Sequence, residues 1–172
     1  IFVKKKSVCA IILARGGSKG IKDKNIFNIK NKPLIYYSLK AASECKKITD
    51  IYVATDSLKI RNKVNNLKFK DVKVIGRSKK SSTDNASSEI ALSEFINLYN
   101  YEIIFFIQPT NIFITASIID SAISKYIKNK YDSLFSVVRL NNFIWTIKGK
   151  KIRPINYDYL KRPLRQKHNS HN

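Results

Sequence analysis

Apolar residues 8–14 run without a polar break, the pattern of a strand covered on both faces. After Pro33 the period changes. Leu34, Tyr37, Ala41, Ala42 and Cys45 fall on one helical face, and proline suits the first helical turn because its missing N–H has no partner to lose there. DIYVATD at 50–56 predicts a second strand, 57–66 a helix, and VKVIG at 72–76 a third strand. RSKKSSTDNASS at 77–88 is a polar loop, and a helix over 90–99 takes its cap from Asp84, Ser87 or Ser88. EIIFFIQ at 102–108 is the most hydrophobic strand and is expected at the centre of the sheet. A helix over 115–129 turns Ile118, Ile119, Ala122, Ile123, Tyr126 and Ile127 inward. SLFSVVR at 133–139 predicts a strand, and 142–155 a hairpin turning at Lys148-Gly149-Lys150.

Strands interleaved with helices predict an α/β domain, with a mostly parallel sheet and helices on both faces. In such sheets ligands sit beyond the carboxyl ends of the strands. Arg15 then follows the first strand, Thr55 and Asp56 end the second, Arg77 follows the third and Gln108 follows the strand at 102–108. All are expected along one edge of the sheet.

The 172 residues suit a single domain spanning 1–172. Lys and Arg number 33 against 12 Asp and Glu, a net charge of +21. This favours anionic partners. The basic residues are spread along the whole chain, however, so compositional bias explains the charge equally well. Cys9 and Cys45 lie in apolar contexts without metal-ligand spacing, which predicts reduced thiols and a cytoplasmic protein. The longest apolar run, IIFFI at 103–107, is too short to span a bilayer. The opening lysines and apolar stretch superficially resemble a signal peptide, but the stretch runs into Arg15 without a cleavage pattern and is expected to be a strand. The absent initiator methionine and the abrupt ending RQKHNSHN suggest a fragment.

The chemistry begins in LARGGSKGIKDKN at 13–25. Glycines let a backbone turn tightly and point N–H groups at phosphate oxygens. Arg15 offers a planar fork of donors, and Lys19 and Lys24 offer point charges. Neither GxxxxGK[ST] nor GxGxxG is satisfied, so this is neither of those phosphate loops. A basic surface loop is the competing explanation. His168 and His171 lie in the tail, and no Ser-His-Asp or Cys-His arrangement is visible.

This loop resembles the signature of the acylneuraminate cytidylyltransferases, which make CMP-activated sialic acids. The resemblance continues in order through KPLIYYSLKAA, DIYVATDS, Arg77, TDNASS, IQPTNIF, YDSLFSV and RPLRQ, over about 8–166. It implies a Rossmann-like, glycosyltransferase-A-like nucleotidyltransferase fold, a three-layer sandwich. It implies CTP and an acidic nine-carbon sugar as substrates, Mg²⁺ as cofactor and a homodimer in the full-length protein. By the same resemblance, Arg15, Gly16, Gly17, Ser18, Lys19 and Asn25 hold the triphosphate, and Arg77, Ser88 and Gln108 complete the CTP and sugar site. Arg165 and Lys24 take catalytic roles. Each has a plainer explanation: solvated charge for the lysines, a loop charge for Arg77, a helix cap for Ser88, a buried strand-end amide for Gln108. Asp56 is left open between a ribose contact and a helix cap.

The chain also departs from the family. Asn111, Phe113 and Ile114 replace its usual serine, leucine and arginine. The family's later carboxylate pair that holds Mg²⁺, and its dimerisation segment, lie beyond the chain's last residue, so this chain is expected to bind CTP yet turn over poorly. Sialic, legionaminic and pseudaminic acids remain open as substrates. The related ketodeoxyoctonate transferases carry a different opening loop. An inactive truncated homologue and a basic nucleic-acid-binding module are the other readings. The module finds no RNP-like or helix-turn-helix pattern here, so no specific nucleic acid is expected.

Overall fold

The unbroken apolar run becomes β1 (Val8–Leu13), buried from end to end. In this computed structural model, residues 7–83, 85–139, 144–149 and 151–155 are described. They fall into two compact units, 1–134 and 135–172.

The first unit continues through a short antiparallel pair, β2 (Asn28–Ile29) and β3 (Lys32–Pro33), into α1 (Leu34–Glu44). Then come β4 (Asp50–Ala54), α2 (Leu58–Asn66), β5 (Val72–Ile75), α3 (Ser88–Leu98), β6 (Ile103–Ile107) and α4 (Ala116–Asn129). Three of the helices start at hydroxyl caps: Ser57, Ser87 and Thr115 accept from the N–H groups of Ile60, Glu89 and Ile118. These bonds satisfy amides that the first turn leaves without partners.

The four main strands form a parallel sheet in the order β5-β4-β1-β6. Period-two alternation along β1 feeds both faces. Val8, Ala10 and Ile12 pack with Ile35 and Leu39 of α1, Ile60 and Val64 of α2, and Ile119 and Ile123 of α4. Cys9, Ile11 and Leu13 pack with Tyr52, Ala91 and Phe95 on the α3 side. Helices therefore cover both faces, in three layers. Among the described residues, no helix is long and apolar enough to cross a membrane.

Three expectations need correction. β6, the most hydrophobic strand, lies at the edge of the described sheet, and β1 and β4 occupy its centre. Apolar composition reports burial of the two faces, whereas position in the sheet is set by pairing. In α4, Ile119 and Ile123 are buried, but Ile118 and Ile127 are exposed: the helix rests on a narrower stripe than its apolar residues suggest. The segment 133–139 is not a strand. No described strand pairs with it, and Phe135, Val137 and Val138 are exposed. Alternating apolar residues make a strand only where a neighbour accepts the hydrogen bonds.

In the second unit, β7 (Trp145–Lys148) and β8 (Lys151–Pro154) form the expected hairpin, turning at Gly149 with φ +61°.

Candidate active site

In a parallel sheet all carboxyl ends point the same way. Strand order therefore sets the order of the residues just beyond them: Arg77 after β5, Asp56 after β4, Arg15 after β1 and Gln108 after β6. The expected gathering along one sheet edge is present, and Asp56 stands between the two arginines.

The turn after β4 uses each of its polar side chains. The buried Thr55 hydroxyl accepts from the Ser57 N–H over 3.1 Å. Ser57 Oγ caps α2 by accepting from Ile60 N–H over 3.4 Å. Asp56 Oδ1 accepts from the Gly16 N–H over 2.8 Å. Asp56 is thus not the cap of the following helix. A Cβ on Gly16 would lie 3.1 Å from Ser57 Cβ, so glycine is the residue that lets the loop approach this turn. Gly17 has φ +65°, a conformation that side chains with a Cβ rarely adopt.

The loop returns through a 3₁₀ turn at Lys24–Ile26. Asn25, 5% exposed, donates from Nδ2 to the Arg15 carbonyl over 2.9 Å. Lys59 at the start of α2 pairs with Asp23 over 3.3 Å. Lys24 is half-buried, and Ser18 and Arg15 are partly exposed, whereas Lys19 is exposed.

Arg77 is half-buried and donates from its guanidinium to the Ser81 carbonyl. Its Nε is buried without a hydrogen-bond partner. Burial lowers its pKa and the neighbouring Arg15 adds to that, while Asp56 and Glu94 oppose them. A guanidinium nonetheless stays charged. The surrounding loop is braced by Glu94 of α3, which accepts from Ser78 Oγ over 2.5 Å and from the buried Ser81 Oγ over 2.8 Å. These hydroxyls hold the Glu94 carboxyl below its ordinary pKa. Asp56, Arg77, Lys79, Ser82 and Thr83 line an open cleft of about 420 Å³.

Arg77, which keeps a buried Nε–H without a partner and lines the cleft, offers donors suited to an anion there. The structure joins Arg15, Gly16, Asn25 and Asp56 by hydrogen bonds and couples Arg77 to Arg15 and Asp56 by charge. Ser88 is the exposed first residue of α3, one position inside the cap, so its expected capping role belongs to Ser87. Gln108 has an exposed side chain rather than a buried amide, and its carbonyl accepts from the buried Ser38 hydroxyl over 3.4 Å. Arg165 and Asp84 lie outside the described residues. The bracing by Ser78, Ser81 and Glu94 is not legible in the sequence, because Glu94 lies 13 to 16 residues beyond the serines it accepts from.

Among the described residues, no three His, Cys, Asp or Glu side chains gather as metal ligands. The one carboxylate lining the cleft, Asp56, already accepts an amide proton.

Comparison with known proteins shows the family. The chain is 36% identical over 167 residues to an N-acylneuraminate cytidylyltransferase of Oncorhynchus mykiss, covering 94% of this chain and 38% of that protein. It is 32% identical to a pseudaminic acid cytidylyltransferase of Campylobacter jejuni subsp. jejuni serotype O:23/36 (strain 81-176), covering 76% of this chain and 57% of that protein. The chain therefore spans less than two thirds of the length of these curated relatives. A solved CMP:2-keto-3-deoxy-manno-octonic acid synthetase complexed with CTP has the same fold, with a TM-score of 0.64 at 20% identity over 72% of this chain and 48% of that one. The family described as Cytidylyltransferase matches residues 9–169, and the chain belongs to it.

Proposed function

We propose that the chain forms the nucleotide-binding part of an enzyme that transfers CMP from CTP to the anomeric hydroxyl of a nonulosonic acid. The observation that carries this reading is the arginine pair at the carboxyl ends of β1 and β5, Arg15 opening the glycine loop and Arg77 lining the cleft beside Asp56. The hydroxyl oxygen attacks the α-phosphorus, the bond to the bridging oxygen breaks, pyrophosphate leaves, and the hydroxyl proton is lost. Such a transfer needs charge neutralisation and in-line positioning more than a covalent intermediate.

In this reading Arg15, Gly16, Gly17, Ser18 and Lys19 receive the triphosphate. Asn25 holds the loop, and Arg77, Ser88 and Gln108 border nucleotide and sugar. Lys24 and Arg165 serve the reacting phosphate. The family resemblance implies Mg²⁺, which would shield phosphate charge. The acceptor class rests on relatives named for N-acylneuraminate and pseudaminic acid.

Calorimetric titration with CTP, against ATP and GTP at moderate salt, tests the nucleotide half. Selective CTP binding that Arg15→Ala abolishes supports it. Equal, salt-sensitive binding of all three nucleotides would show that the +21 charge alone is responsible. Pyrophosphate release with N-acetylneuraminic, legionaminic and pseudaminic acids then identifies the acceptor.

A further inference from the structure

We propose that Asp56 is a positioning residue for the nucleotide loop: together with Asn25 it grips both sides of the single peptide unit between Arg15 and Gly16. The carbonyl and N–H of a trans peptide point in opposite directions. Here the Arg15 carbonyl accepts from Asn25 Nδ2 over 2.9 Å, and the Gly16 N–H donates to Asp56 Oδ1 over 2.8 Å. Each holder stands in an ordered turn, Asn25 buried and Asp56 exposed. Asn25 is buried in its 3₁₀ turn. Asp56 sits between Thr55 and Ser57, whose hydroxyls are engaged with the Ser57 and Ile60 amides. The peptide plane is therefore set at the point where the chain leaves β1. The direction of the Arg15 side chain and the path of Gly16 and Gly17 follow from that plane.

This assignment explains a carboxylate in a cleft otherwise suited to anions. Its charge opposes a phosphate, but a carboxylate is the strongest acceptor available for a backbone amide. Its consequence for CTP rests on the reading under Proposed function; its effect on the loop does not.

The test compares Asp56→Ala, Asp56→Asn and the wild-type chain by amide hydrogen exchange at Gly16 and by CTP titration. Asp56→Asn keeps an acceptor oxygen and removes the charge. Asp56→Ala is expected to speed Gly16 exchange and weaken CTP binding, each by about tenfold, from the loss of one hydrogen bond to a charged group. Asp56→Asn is expected to restore both to within about threefold. Asp120→Ala, which breaks only the Lys47 pair beside α4, serves as a control that leaves both readouts unchanged. Unchanged Gly16 exchange in Asp56→Ala overturns the proposal, and so does an Asp56→Asn variant as impaired as the alanine. If the wild-type chain shows no selectivity for CTP while Gly16 exchange responds as expected, the cytidylyl reading falls and the anchoring role is supported.

Discussion

Replacing Asn25 tests how far the loop depends on its bond to the Arg15 carbonyl. Asn25→Ala removes the 2.9 Å bond to the Arg15 carbonyl at a site only 5% exposed. Net loss of an ordinary hydrogen bond costs about 1 kcal/mol, and a carbonyl left without a partner adds a similar amount. The expected destabilisation is therefore about 2 kcal/mol, which lowers Tm by about 7 °C for a unit of this size. Asn25→Asp should be worse than alanine at neutral pH, although it is the closer isostere. It sets a buried carboxylate against the carbonyl, with no proton to donate. Burial and the missing donor raise the pKa of that introduced carboxylate in the folded state. Its deficit relative to alanine should therefore shrink as pH falls and the group gains a proton. Thermal unfolding of the three proteins at neutral and acid pH, with CTP titration alongside, provides the assay. A Tm for Asn25→Ala equal to wild type, or an Asn25→Asp variant milder than alanine at neutral pH, would refute the reasoning.

Further outcomes follow from the same geometry. Asn25→Ala and Asp56→Ala should be strongly non-additive in CTP affinity, because either one frees the same peptide; a double-mutant cycle with no coupling would contradict this. Gly17→Ala, at φ +65°, should destabilise by about 1 kcal/mol, read from denaturant unfolding. Gly16→Ala should weaken CTP binding by pushing the loop off Ser57, where its Cβ would come within 3.1 Å. Burial first, then Asp50, raises the Cys9 thiol from 9.0 to about 12. Between those values the unfolded chain has lost the thiol proton and the folded chain keeps it. Stability should then fall by about 1.4 kcal/mol per pH unit, a slope confined to the range from 9.0 to about 12 and absent from Cys9→Ala. Unfolding followed against pH for both chains measures the difference.

Much of the fold was legible from local pattern. β1 is apolar at every position because both of its faces are covered, and the helices expected from 57 and 115 begin one residue later, with Ser57 and Thr115 as their caps. The alternation of strands and helices predicted a parallel sheet, and that sheet put Arg15, Asp56, Arg77 and Gln108 on one edge. The proposal that the glycine loop and its arginine bind an anion starts from residue types alone. Their partners are not legible that way. Asp56 and Gly16 are separated by 40 residues in the chain, and nothing local to either tells which carboxylate meets which amide. The pairing arises because β4 lies beside β1 in register, Leu13 against Ala54, so that the turns after them emerge together. Strand order likewise moved β6 to the edge of the described sheet, and it left the alternating residues at 133–139 without a described neighbour to pair with. Side-chain pattern reports which faces are buried. Only the assembled sheet decides which backbone groups face each other, and that decides how the Arg15–Gly16 peptide is held.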